Sequence, residues 1–431
     1  MTKNSLLGIA LFCATAAPAL AGPVPRDSVS SSVSFEEAAA DLTSTDVNVR
    51  YRAVQLLEEA AYPEAAVPLV ATLTDPSNEV QLESIAAELN IFLAEKVDTR
   101  KHSGLVVGAR NKIDAEAVFT AGRAALGARP VPMDVLTGLC RAMHDESPRV
   151  ALSALYAFGA LAAEPAGDDR REVLRLAAPE LAGLMGASDQ NQRLVALRVA
   201  GRVFERRAGD DVPDEALGDA LIMALNEKNV TLRIAAMQAL GAMRYERAVQ
   251  GLTQLYQYYG RGPAAAAALD ALAHISSPSS ASLFVTQLNG KDPALKVIAV
   301  EALARSGDRD RAADIKTAVS WQDSDAVDLA SRFADAFLAN GSLDVIIDQL
   351  ATPKLHDRAF GYLVELAPGR APLFIKGAKD PDPRLRSGVA DILGLAGDPA
   401  ALALVDPMKR DSDPQVARAA ETASARLHAA R

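Results

Sequence analysis

The residue types in this chain that could carry chemistry are five histidines, aspartates paired at i and i+2, an isolated cysteine and a glycine-flanked basic stretch. His102, His144, His274, His356 and His428 are scattered, with no HExxH, no i, i+4 histidine pair and no Cys/His cluster, so no metal site is expected. The pairs Asp323/Asp325, Asp380/Asp382 and Asp411/Asp413 look like pieces of a calcium loop, yet they lack the glycine and distal glutamate of an EF-hand. Helix capping accounts for them better. "KHSGLVVGARNK", residues 101–112, spaces its glycines unlike any phosphate loop, and neither GxSxG nor a dinucleotide fingerprint occurs. Cys140, in "LTGLCRAM", reads as a small buried apolar residue. No catalytic residue, cofactor or metal is therefore expected, and function must reside in a surface.

The elements that would build such a surface follow from one stretch, "DPDPRLRSGVADILGLAGDPAALALV", residues 380–405. Anchored on Leu385, it recurs about 31 residues on at Val416. Going backwards it recurs at Val327, Leu295, Ala264, Leu232, Gln192, Val150, Val80 and Val49, with a weak copy at Leu355. Two acidic inserts, "EPAGDDRRE" and "ERRAGDDVPDE", stretch the interval and read as solvated loops that hold Arg170 and Arg171.

Each copy has the grammar of a helix. Asp382 is placed to accept from a free first-turn N–H, and Pro383 at the first helical position loses nothing by lacking one. Apolar residues follow the anchor at plus 4, 5, 7 and 8, as Val389, Ala390, Ile392 and Leu393, which is one helical face. Gly394, Gly241, Gly201 and Gly159 recur near the helix end, where a missing side chain permits close approach or a left-handed cap. One hairpin cannot bury both its helices, so the copies must stack.

"DPDPRLRSGVADILGLAGD" and its copies resemble the HEAT-repeat family, in the short HEAT-like form also seen in phycobilisome lyase subunits. The fold class expected is all-α: a right-handed α-solenoid of stacked helical hairpins, HEAT-like or armadillo-like, over residues 36–431. The resemblance implies a ladder in which an aspartate of the inter-helix turn meets the arginine just after the anchor. Asp380 and Arg386 match that pattern by position, and Glu227 and Arg233 form a substitute pair. Arg50, Arg193 and Lys296 keep the cation alone, while Ala151 and Ala417 lack it.

The family's stacks line their concave surface with second helices, whose plus 3, 6 and 10 positions form a stripe. Here it reads Tyr156, Arg198, Arg202, Gln238, Asp270, His274, Glu301, Arg305 and Phe333, a mixture suited to contacting a protein or peptide. A repeat-breaking insert at about 96–113 concentrates Lys96, Arg100, Lys101, Arg110 and Lys112, making Arg100, Lys101, Arg110 and Lys112 a candidate docking loop. The formal charge of −10 argues against nucleic acid as the main partner. The function expected is a non-enzymatic exported scaffold; a lyase-like HEAT enzyme or accessory subunit is the alternative.

Export follows from "MTKNSLLGIALFCATAAPALAG": Lys3, an apolar stretch to Ala17, and the A-x-A site Ala19-Leu20-Ala21. Residues 1–21 read as a signal peptide and 22–35 as a flexible lead-in, with no membrane insertion after cleavage. Periplasmic or secreted protein should begin at Gly22, and N-terminal sequencing of the native form checks this; an intact Met1 end refutes it.

Overall fold

The turn that precedes each anchor starts a helix, and its acidic pair divides the work. In the computed structural model, which describes residues 33–93, 113–122, 126–127, 129–163, 167–207, 210–211, 214–319, 324–339 and 341–430, Asp380 accepts from the Asp382 N–H at 2.8 Å. Asp382 in turn accepts from the Arg384 N–H at 2.9 Å and caps the helix. Asp411 and Asp413 repeat the arrangement at 2.9 and 2.8 Å. The first carboxylate folds the turn and the second satisfies a first-turn donor, which leaves neither pair free to hold a cation. Asp323 lies outside the described residues, as do residues 1–32, which hold the expected signal peptide and most of the lead-in.

Eleven helical hairpins and one added helix make up the described chain. The first two hairpins are α1 (Phe35–Asp41) with α2 (Val47–Ala60), and α3 (Ala66–Leu69) with α4 (Asn78–Phe92). The added helix α5 (Ala115–Ala121) interrupts the series. It resumes with α6 (Met133–Ala142) and α7 (Pro148–Leu161), α8 (Gly167–Leu184) and α9 (Gln190–Val203), and α10 (Glu215–Ala224) and α11 (Val230–Ala242). Then come α12 (Val249–Tyr259) and α13 (Pro263–Ile275), α14 (Ala281–Leu288) and α15 (Pro293–Arg305), and α16 (Arg311–Ala318) and α17 (Asp325–Ala339). The last three are α18 (Asp344–Asp348) and α19 (His356–Leu366), α20 (Ile375–Ala378) and α21 (Pro383–Ala396), and α22 (Leu402–Met408) and α23 (Pro414–Ala429). Every anchor residue falls in the second helix of its hairpin except Leu355, which directly precedes α19. Each second helix packs on its own first helix and on the second helices before and after it, α11 on α13, α13 on α15, α15 on α17.

The apolar register positions form the continuous core. Val389, Ala390, Ile392 and Leu393 are buried, as are Ala299, Val300, Ala302 and Leu303 three copies earlier. A buried leucine of this kind contributes about 2 kcal/mol relative to an exposed one. Of the two roles open to the recurring glycine, close approach is the one used: a Cβ on Gly394 would lie 2.6 Å from the Ala423 Cα, and one on Gly241 2.7 Å from the Ala271 Cα. Neighbouring second helices therefore meet backbone to backbone. The left-handed cap belongs to residues three further on, such as Gly397.

The arginine ladder exists, but its partners differ from those the family pattern implies. Arg386 donates to the main-chain carbonyl of Asp380 at 2.7 Å, and its bidentate carboxylate partner is Asp411, in the turn of the next hairpin, at 2.7 and 2.8 Å. Arg50 likewise holds the Ser44 carbonyl and Asp75, and Arg193 holds the Ala187 carbonyl and lies 3.2 Å from Glu227. Glu227 thus serves the preceding hairpin and not Arg233, which instead lies 5.4 Å over the Tyr259 ring. The reason is reach: the Asp380 carboxylate is already committed to its own turn, and a guanidinium spans from one turn to the next.

The acidic inserts are not loose loops. Arg170 is buried in α8, donates to Asp210 at 2.8 and 2.9 Å and also bonds the Glu205 carbonyl, so it ties the two inserts together. Cys140 is buried as expected, its thiol pushed up to about 12 by burial.

One core position breaks the rule. Glu88 sits eight residues after Val80, where six other copies place leucine, and is fully buried with neither carboxyl oxygen hydrogen-bonded. Burial raises its pKa well above the ordinary glutamate value. A carboxyl raised in the folded state favours folding below the unfolded-state pKa, and that contribution is lost as pH rises through the folded value. Glu88→Leu should therefore stabilise the chain at pH 7 by about 1–3 kcal/mol, with the gain shrinking at acid pH. Denaturant melts at pH 4 and pH 7 check this, and an equal effect at both pH values would contradict it.

Candidate functional site

The stripe on the second helices divides into three sections with different fates. Its first section is covered by the chain itself. Helix α5, begun by Asp114 accepting from the Glu116 N–H, packs on α7. The Tyr156 hydroxyl donates to Glu116 at 3.0 Å and the Tyr156 and Phe119 rings lie 5.5 Å apart. Arg202 stacks 4.4 Å over Phe119 and donates to its carbonyl, capping the end of α5. Arg198 is exposed beside Tyr156. Tyr156 and Arg202 thus form a seat for α5, not an open groove, which corrects their expected place in the contact stripe.

The third section is filled by an ion network. Arg305 on α15 donates to both oxygens of Glu365 on α19, at 3.0 and 3.2 Å from Nε and 3.0 Å from Nη2, and lies 3.6 Å from Glu301. Arg358 donates to Glu301 at 2.6 Å, and the Tyr362 hydroxyl donates to the same carboxylate. Phe333 is fully buried, 4.3 Å from the Tyr362 ring, so it is a core residue and not a contact residue. Burial works against the Arg305 charge, but Glu365 and Glu301 more than offset it and hold its pKa above the ordinary value. Burial and then Glu301 push the Tyr362 hydroxyl upward. These contacts join α15 to α19 across α17, which side chains can do only on the inner side of a curved array.

Between the two lies the open section. Gln238 on α11 is exposed. On α13 the Asp270 and His274 side chains are about 40% exposed and lie 3.6 Å apart. Surrounding walls still desolvate Asp270 and raise its pKa, with His274 acting the other way. At the ends of α9 and α11 this section adds Arg206, Arg244 and Arg247, which sequence reasoning missed. Their only signal was position: Arg244 falls twelve residues after its anchor, where Gly307 and Gly397 stand in other copies.

Of the candidate docking loop, Arg100, Lys101, Arg110 and Lys112 lie outside the described residues. Among the described residues no group of three metal-ligating side chains occurs, and no helix is long and apolar enough to cross a membrane.

These hairpins, their register and their ladder define an all-α HEAT-like solenoid. No family model matches the chain, and no curated protein matches it. Similar solved structures include Kap121p, at TM-score 0.36 and 13% identity over 91% of this chain and 45% of that one. Importin beta gives TM-score 0.47 and 13% identity over 92% of this chain and 60% of the other. The complex of CpcE and CpcF of phycocyanin lyase from Nostoc sp. PCC7120 gives 0.31 and 17% over 81% and 97%. The chain spans less than half of Kap121p and three-fifths of importin beta.

The buried network has a measurable consequence. Arg305→Ala leaves Glu365 without its main counter-ion and Glu301 with Arg358 alone, and should cost about 3–5 kcal/mol. Hydrogen exchange should rise most in α15, α17 and α19; an unchanged melting temperature would contradict the network's role.

Proposed function

We propose that this chain is a non-enzymatic, exported scaffold that binds a protein or extended peptide along the face built by its second helices. The observation that carries the reading is the division of that face. Two sections are occupied by the chain's own side chains, and between them Gln238, Asp270 and His274 stay accessible to solvent. A polar strip floored by tightly packed helices is preorganised, so a partner would lose little to ordering the receptor. Export is supported by the signal-like residues 1–21, and a protein partner is favoured over nucleic acid by the net negative charge.

The test is site-specific photo-crosslinking in the native envelope. A crosslinker at Gln238, on the second-helix face, should capture one stoichiometric partner. The same group at Met223, exposed on the first helix α10, should capture none. Capture from Met223 alone would overturn the reading, and substrate turnover without a stoichiometric partner would favour a lyase-like activity.

A further inference from the structure

A cleft of about 420 Å³ lies where α9, α11 and α13 end and α10 and α12 begin, and its charged walls are Arg206, Arg244 and Arg247 against Glu215 and Glu246. Arg247 is committed locally, 3.4 Å from Asp219, 3.6 Å from Glu215 and 3.3 Å from the Tyr245 hydroxyl. Arg206 is fixed through its backbone N–H, which donates to the Ala242 carbonyl at 2.9 Å, while among the described residues its guanidinium meets the Asp210 carbonyl at 3.4 Å. Among the described residues the ion partner of Arg244 is Glu365 at 3.9 Å, and that carboxylate already accepts both forks of Arg305. Two guanidiniums therefore reach the cleft with donor capacity to spare.

The backbone beneath Arg244 is left-handed. Its N–H donates to the Gly241 carbonyl at 2.9 Å and the Tyr245 N–H to Leu240 at 3.1 Å, the bonding of a helix ended by a left-handed residue. Its φ is 52°. At this register position α15 and α21 use Gly307 and Gly397, both at φ 71°, while α2 and α13 end on Ala61 at 47° and Ser276 at 54°. Glycine would adopt this conformation without strain, so the guanidinium of Arg244 can be removed by glycine without harm to the helix end.

We infer that this cleft binds a single carboxylate of the partner, presented beside an apolar side chain. Arg247 is balanced by Glu215 and Asp219, so the donors open to a ligand are those of Arg206 and Arg244, and the glutamates of the wall disfavour a doubly charged phosphate. Ile275 and Tyr245 supply the apolar floor. A planar carboxylate fits paired guanidiniums through charge-assisted hydrogen bonds. The inference rests on the scaffold reading and names the chemistry of what that face receives.

Calorimetric titration of the mature chain tests it with three peptides: acetyl-Ser-Leu with a free C-terminus, acetyl-Glu-Leu-amide and the neutral acetyl-Gln-Leu-amide. At least one acidic peptide should bind saturably below about 10 mM, at least about tenfold tighter than the neutral one. The better acidic peptide identifies a terminal or a side-chain carboxylate as the source. Arg244→Gly should lose about tenfold in affinity while melting at or above the parent temperature, because glycine relieves the backbone. Arg206→Gln should weaken binding without that stabilisation. The inference falls if neutral and acidic peptides bind alike, if none binds in that range, if inorganic phosphate competes as well as the acidic peptide, or if both variants bind as the parent does. Peptide binding with no partner captured at Gln238 would leave the cleft standing and sink the scaffold reading; a captured partner with no peptide binding would do the reverse.

Discussion

The close approach of successive second helices is the constraint on which the rest depends. Gly394 against Ala423 and Gly241 against Ala271 bring backbones into contact, and no side chain larger than a hydrogen atom fits at those glycines. Nine residues after the anchor is half a turn of the helical wheel away from it, on the flank of the stripe. Helices that draw together on that flank bend the array toward the stripe. Side chains from α15 then reach α19, and Arg244 at the end of α11 comes within 4 Å of Glu365. Arg426 of α23 likewise donates at 2.8 Å to the carbonyl of Leu126, 300 residues earlier.

Curvature of this kind has a chemical consequence. On a straight stack the stripe residues would be ordinary solvated side chains, each worth little to stability. On the inner side of a bend they desolvate one another, so charges must pair or stay in the few places water still reaches. Glu301, Arg305, Arg358 and Glu365 take the first course, and Asp270 with His274 takes the second. Phe333, one of the two aromatic members of the stripe, becomes the apolar floor beneath the paired charges.

The added helix α5 obeys the same logic. A break in the repeat would expose the inner flank of α7 and α9, where Gly159 leaves space that Phe119 and Val199 fill. Phe119 is then covered by Arg202 and Tyr156, and Glu116 satisfies the tyrosine hydroxyl. The chain thereby supplies its own occupant for one stretch of the face, and the strip left open is shorter than the full run of hairpins.

Hairpins, core register and helix starts were legible in the sequence because they depend on contacts between residues a few positions apart: a cap two residues away, an apolar face repeating every 3.6. The left-handed cap was offered by the sequence at the glycine nine after the anchor, and the structure puts it three residues further on, at Gly307 and Gly397. Partners across the stack were not legible. The family resemblance placed Asp380 beside Arg386, but tertiary packing decided that the carboxylate was spent on its own turn and that Asp411 completed the rung. Glu88, Arg170 and Phe333 teach the same lesson, since burial is set by neighbours distant in sequence. Arg244 joins both levels: its strained backbone is written in the repeat register, while its approach to Glu365 arises only when four successive helix steps bend one way.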